Sequence, residues 1–227
     1  MLRDNRVKYA MKVQLFLRLL LAFFFSAVLV RADNLKWDRQ EILEQASLGQ
    51  EKVTGIFGFT NVGTSPVRIE SLESTCECTT ATATKSVVGP GESAQVIAVF
   101  SLGTSVGRQT KSIVVRTDTT TERVVLWLTA DIPALASVTP AKLEWRASQQ
   151  EERAILVTSN VDEPIQIFLG KLPAQTFTSK VESSADGKSH TIRLKPEKDH
   201  RARRIILLFE VRRGKMAQSY SVTALLN

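Results

Sequence analysis

The 227-residue sequence is poor in the side chains that most enzymes and metalloproteins need: it has two histidines, two cysteines and three methionines. Nucleophilic catalysis of the Ser-His-Asp or Cys-His kind requires an imidazole oriented by a neighbour. The two candidates are His190, expected in a hairpin strand, and His200, in a polar loop among basic residues; both are expected to face solvent. Zinc takes four ligands, and the cysteines, Cys76 and Cys78, sit far in sequence from both histidines. Met216 is the sole methionine after residue 32, which leaves no methionine-rich copper motif. No glycine-rich loop is placed to cradle phosphate, and no long amphipathic helical pattern occurs. Paired carboxylates such as Glu151-Glu152 and Asp162-Glu163 flank turns and read as solvated. No apolar run reaches the roughly 20 residues that span a bilayer. The composition therefore predicts no catalytic residue and no cofactor.

The longest apolar stretch is the twelve residues Leu19–Val30, preceded by Arg3, Arg6, Lys8, Lys12 and Arg18 and followed by Val30-Arg31-Ala32. A basic region, an apolar region and a small-residue site in that order predict a cleaved secretory signal over 1–32, cut near Ala32. Met11 opens an equally good, shorter signal, so translation from Met1 or Met11 both fit. Export to a periplasmic or secreted location follows, with membrane contact only through the signal before cleavage. The segment holds six basic residues and one acid, so the remainder carries 24 basic and 22 acidic side chains. Excess positive charge, the main support for nucleic-acid binding, is thus largely a property of the targeting peptide. What remains is uneven: residues 33–132 carry 9 basic and 12 acidic side chains, residues 133–227 carry 15 and 10. Much of the second surplus lies at His200–Arg204 and Arg212–Lys215, where a solvated strand edge and hairpin tip is the simpler reading than a polyanion site.

Beyond the signal, the second half repeats the first. Leu35-Lys36-Trp37 opens one copy and Leu143-Glu144-Trp145 the other; Asn61–Ile69 is echoed by Asn160–Ile167, each an Asn-led turn, a proline and a return strand. Val53, Gly55, Phe57 and Phe59 alternate with Thr54, Ile56, Gly58 and Thr60, a period of two. Strands are expected at Ala94–Phe100, Ser112–Arg116, Val124–Leu128, Ala154–Thr158, Ile165–Leu169, His190–Leu194, Arg204–Val211 and Ser219–Leu225, with tight turns at Gly89–Glu92, Asp186-Gly187 and Arg212–Lys215. Asp38-Arg39-Gln40-Glu41 spells a helix capping box, yet its counterpart Arg146–Gln150 does not, and a strand or irregular edge is predicted in both. The fold class that results is all-β: two tandem immunoglobulin-like sandwiches, 33–132 and 133–227, after the signal. Trp37 and Trp145 read as core or interdomain packing.

Cys76-Glu77-Cys78 is the one reactive constellation. In an extended strand the two side chains share a face, with Cα atoms about 6.5–7 Å apart, at the outer limit for a disulfide. Three readings stand open: a labile disulfide, a thiolate pair for redox work or Cu(I), and thiols with a packing role.

Phe57-Gly58-Phe59-Thr60-Asn61-Val62-Gly63, Ile69-Glu70-Ser71-Leu72, Ser74-Thr75-Cys76-Glu77-Cys78-Thr79 and Gly89-Pro90-Gly91-Glu92 form an ordered set. The set resembles a bacterial family of domains of unknown function related to the Hydin-like (ASH-type) immunoglobulin domains, whose hallmark is Ser-Cys-Gly-Cys-Thr before a Pro-Gly-Glu turn. The resemblance covers about residues 35–132 and is only architectural beyond. Glu77 stands where that family has Gly, which works against the bent backbone a tight Cys-x-Cys bridge needs. The resemblance implies an exported, non-enzymatic envelope protein. Its partner would be another envelope protein, engaged by edge-strand addition. The alternatives are a pilus-type periplasmic chaperone with Val124–Leu128 as donor strand, and a thiol- or copper-handling protein using Cys76 and Cys78.

Overall fold

The computed structural model describes residues 34–119, 123–146, 149–172, 176–197 and 203–227; the expected signal at 1–32 and His200 lie outside them. All regular structure among the described residues is β-strand. The first half folds as β1 (Leu35–Trp37), β2 (Glu41–Gln45), β3 (Lys52–Asn61), β4 (Val67–Ser74), β5 (Thr79–Ala83), β6 (Val87–Val88), β7 (Ser93–Ser101), β8 (Gly107–Thr117) and β9 (Val124–Ile132). The second follows as β10 (Ala136–Thr139), β11 (Lys142–Trp145), β12 (Arg153–Ser159), β13 (Gln166–Leu169), β14 (Phe177–Ser183), β15 (Ser189–Pro196), β16 (Arg203–Arg213) and β17 (Met216–Leu226).

Each half is a two-sheet sandwich. In the first, β1-β3-β7-β5 faces β2-β9-β8-β4-β6; in the second, β10-β12-β15-β14 faces β11-β17-β16-β13. This strand order, with a leading strand that crosses sheets to run parallel to the last one, is that of an immunoglobulin-like domain. Alternation makes the cores: Val53, Phe57 and Phe59 of β3 and Val96, Ala98 and Phe100 of β7 point inward against Ile113, Leu126 and Leu128. A separate core gathers Trp145, Ile155, Ile192, Leu194, Leu207 and Val222.

The predicted repeat places a turn after β3 and after β12 but shifts by one residue at its anchor, and it fails at the tryptophans. Ser159 rather than Asn160 makes the bonds to Val161 and Glu163 that Asn61 makes to Gly63 and Ser65. Trp37 ends β1, which pairs antiparallel with β3, whereas Trp145 ends β11, which pairs parallel with β17. The true counterpart of β11 is β2, lying parallel to β9. Both leading strands feed side chains to the core, so the same three-residue spelling suited two different strands. The segment after the capping-box spelling is indeed strand β2, because Ile42 packs inward on the first core while Glu41, Leu43 and Gln45 point out.

Asn61 anchors the first of these turns. Its buried amide donates to Ser65 O (2.9 Å) and Val88 O (2.8 Å), and its Oδ1 accepts from Gly63 N (2.9 Å). The backbone of Asn61 also exchanges bonds with the Gly89–Glu92 turn, where Gly91 has φ 75°. Asn61→Ala leaves the buried Val88 carbonyl and, nearer the surface, Ser65 O and Gly63 N without this partner. It is expected to cost about 1–3 kcal/mol, read as a lower denaturant midpoint at unchanged slope. A loss under about 0.5 kcal/mol would mean that water replaces the amide.

Candidate functional site

The cysteines occupy the crossover from β4, in one sheet of the first sandwich, to β5, in the other. The chain bends there, so the extended-strand geometry does not apply: the Cα atoms lie 5.2 Å apart and the sulfurs are bonded. The bend is held without help from a glycine at position 77. Ser74 Oγ lies 2.6 Å from Cys76 O and 2.7 Å from Thr79 O, sharing its proton between two carbonyls. Thr79 N donates to Cys76 O, Ser101 N to Cys78 O and Thr75 N to Ser112 O. Cys78 N points at Cys76 Sγ at 3.0 Å. Both cysteines are half-buried, Cys78 resting on the first core, and Glu77 is exposed. In this bridged form neither sulfur is a thiolate able to bind Cu(I). Among the described residues no group of three or more His, Cys, Asp and Glu side chains could hold a metal ion.

A ring this short removes little chain entropy, so Cys76→Ser with Cys78→Ser is expected to lose only roughly 1–2 kcal/mol of stability. A urea melt of the double variant checks this. Complete unfolding would instead make the bridge the organiser of the crossover.

His190 is not exposed, contrary to the sequence-based expectation. It is buried on β15 with the same parity as Ile192 and Leu194. Its Nε2 lies 2.8 Å from Ile165 O and 3.2 Å from Gly187 O, and Nδ1 lies 2.8 Å from Ser183 Oγ. Two carbonyls at Nε2 fix the proton there, leaving Nδ1 to accept from the Ser183 hydroxyl. The ring thus ties the β14–β15 hairpin to the start of β13 as a structural element.

Val124–Leu128 forms the start of β9, hydrogen-bonded on one side to β8 and flanked on the other by β2. A donor strand needs a free side, and here both are taken over Trp127 and Leu128. Arg108 clamps Asp131 with two bonds of 2.7 Å, and Gln45 adds a third at 3.0 Å. The Arg108 hydrogen bond first, then that of Gln45, hold the Asp131 carboxyl at about 2 and pin the end of β2 to β9. Among the terminal strands of the four sheets, β14 is the longest with one side unpaired, and Lys180 lies along it.

What the sequence did not reveal is a pair of outward apolar patches. On the β2-β9-β8-β4 face, Trp127 is 41% exposed and stands in register with Glu41 on one side and Ser112 on the other. Leu43 is 54% exposed one step along, beside Thr129, and the half-buried Val125 and Val114 continue the strip. On the corresponding β11-β17-β16-β13 face, Ile206 (57%), Leu208 (60%) and Phe168 (44%) adjoin. Gly170 lies close against Leu208, donating its N–H to Leu208 O at 2.8 Å, and a Cβ there would meet that oxygen at 2.6 Å. The Arg212 guanidinium lies 4.4 Å over the Phe168 ring. Contiguous apolar groups of this kind on a soluble surface mark contact sites more often than scattered single residues do. Outward parity of Trp127 with Val125, and of Ile206 with Leu208, was the available signal.

Residues 35–132 match the sequence model of a family described as protein of unknown function (DUF1573). No curated protein matches the chain. Among solved structures, it is similar to the Vibrio cholerae VesB protease, with 17% identity over 44% of this chain and 32% of that one, at a TM-score of 0.35. The chain thus spans about a third of that protease's length. A Porphyromonas gingivalis protein of unknown function shows 10% identity over 85% of this chain and all (100%) of that one, TM-score 0.33. The tandem immunoglobulin domains of titin show 8% identity over 85% and 96%, TM-score 0.28.

Proposed function

We propose that this is an exported, non-enzymatic immunoglobulin-like protein of the bacterial envelope, which binds protein through the outward faces of its two sandwiches. The observation that carries this reading is the recurrence of an exposed apolar patch on the corresponding sheet of each domain: Leu43 and Trp127 in one, Phe168, Ile206 and Leu208 in the other. Sheet faces that only meet water alternate apolar-in and polar-out. Ile56 on β3 and Leu156 on β12 also stand outward on the other sheets, whereas on these two faces several large exposed apolar side chains share one side. The kinship with Hydin-like domains expected from Ser74–Thr79, the cleavage near Ala32 and the periplasmic or secreted location belong to the same proposal. Partner capture at these faces supersedes edge addition, because the edges are short or, at β14, carry a lysine.

The test is a photo-cross-linking amino acid placed singly at 127, 208 and, as a control, 156, in cells expressing the full chain, followed by envelope fractionation. Leu156, 48% exposed, falls between Trp127 and Leu208 in exposure but lies on the other sheet of the second sandwich. Discrete protein adducts from 127 or 208 and none from 156, in a periplasmic or secreted fraction shortened at the N-terminus, are the expected result. Adducts from 156 alone, or a full-length cytosolic protein, would overturn it.

A further inference from the structure

We infer that the occupant of these faces is a second copy of this chain, joined head to tail: the β11-β17-β16-β13 face of one copy seats on the β2-β9-β8-β4 face of the next. The inference rests on the binding-module reading and names its partner. Charge favours the heterologous pairing. Residues 33–132 carry 9 basic and 12 acidic side chains, net −3, whereas residues 133–227 carry 15 and 10, net +5. A face pairing with its own kind would oppose like charge; the two unlike domains attract.

The patches repeat this complementarity at residue level. Beside Trp127 the in-register neighbour on β2 is Glu41, exposed. Beside Ile206, two residues back on the same face of β16, is Arg204, also exposed; Lys142 and Glu144, across β17 on β11, pair with each other. Glu41 and Arg204 have no ion-pair partner among the described residues, whereas Arg108, Arg116, Arg212 and Arg213 are all paired within their own domains. Each patch is an aromatic or aliphatic centre with an unpaired charge beside it, Glu41 on one face and Arg204 on the other, an anatomy found at interfaces. The two faces belong to one chain, so the contact is heterologous and propagates; it yields open chains unless the rotation closes a ring.

Sedimentation velocity on the mature protein decides the matter, with Trp127→Asp and Leu208→Asp as variants and unchanged thermal melts as proof of folding. The wild type is expected to gain mass with concentration beyond a dimer. Each variant alone is expected to stay monomeric, with association weakened at least thirtyfold, as for a central aromatic or aliphatic anchor. An equimolar mixture of the two is expected to form a 1:1 dimer and stop, since each variant keeps the face the other lacks. Glu41→Arg mixed with Arg204→Glu gives a milder version of the same complementation at low salt. A monomeric wild type overturns the inference, and so does a Trp127→Asp variant that still self-associates, which would signal a symmetric contact. Wild-type monomer that sediments with phosphatidylglycerol vesicles through Leu208 and Arg204 overturns it in favour of a lipid surface. Cross-links from positions 127 or 208 to a different envelope protein, with a monomeric wild type, would keep the binding-module reading and remove only the self-assembly.

Discussion

Trp145→Ala is expected to destabilise the second sandwich by about 3–5 kcal/mol while leaving the first nearly untouched. Trp145 is fully buried, packs against Phe177 at 5.3 Å between ring centroids, and lies 5.6 Å beneath the Arg153 guanidinium. Truncation opens a cavity the size of an indole between β11, β12 and β17, and the surrounding strands cannot collapse into it without breaking their ladders. It also strips the Glu151 carbonyl of its donor, Trp145 Nε1 at 2.8 Å. Trp37→Ala, the change that looks equivalent in sequence, is expected to cost clearly less, about 1.5–3 kcal/mol. Trp37 is only half-buried against Phe59, and its Nε1 has no hydrogen-bond partner to forfeit. Hydrogen exchange followed by mass spectrometry reads the two domains separately in the intact chain. Faster exchange confined to β12, β15, β16 and β17 is the expected pattern. Equal acceleration in β3 and β7 would mean that the two cores unfold as one unit.

That asymmetry also marks where sequence pattern stops being informative. Strands with strict alternation and bulky inward residues, such as β3, β7 and β16, are readable because burial on one face imposes a period of two. Thr79–Ala83 and Phe177–Ser183 are not: they are edge strands with one buried end residue each, so the pattern that betrays a strand is absent. The tryptophan repeat misled because pairing partners are long-range facts that a local spelling does not encode. His190 was within reach of inference, since it shares parity with Ile192 and Leu194; its burial is tolerated only because the Ile165 and Gly187 carbonyls and the Ser183 hydroxyl satisfy both ring nitrogens. The cysteine bend was the opposite case. Glu77 argued against a tight bridge, and the bend forms because Ser74 and the neighbouring strands supply the hydrogen bonds that hold it. The apolar faces were written in the sequence as outward residues of amphipathic strands, but a sandwich has two sheets and four faces, and only the topology says which residues share one.

Gln218→Ala is expected to loosen the join between the two sandwiches more than any other polar substitution among the described residues. Gln218 is buried on β17 with its amide turned toward the linker: Oε1 accepts from Leu135 N at 2.6 Å and from the Tyr220 hydroxyl at 2.8 Å, while Nε2 donates to Pro133 O at 2.8 Å. Tyr220 Oη in turn accepts from Ala136 N at 2.9 Å. Burial first raises the Tyr220 pKa, so the phenol stays neutral and able to donate. One amide thus satisfies a donor and an acceptor of a linker that belongs to neither sheet ladder at Pro133 and Leu135. Removing it strands the buried Leu135 N–H, and the loss is expected to be about 2–4 kcal/mol. Gln218→Glu should cost a similar amount, because a carboxylate cannot donate to Pro133 O. Tyr220→Phe should cost less, about 1–2 kcal/mol, since Gln218 keeps its hold on the linker. Exchange of the Leu135 amide measures this directly; thirtyfold acceleration or more in Gln218→Ala corresponds to the lower end of that range. Beyond this clasp, Ser219 N and Oγ bond Thr104 O and Oγ1, each at 2.8 Å. If Leu135 exchange is unchanged, the Thr104–Ser219 contact and the packing of Leu48 on the second core hold the join. If it accelerates as expected and assembly weakens with it, the linker acts as a strut: head-to-tail contacts propagate only when the two faces of each copy keep a fixed angle, and Gln218 is what fixes it.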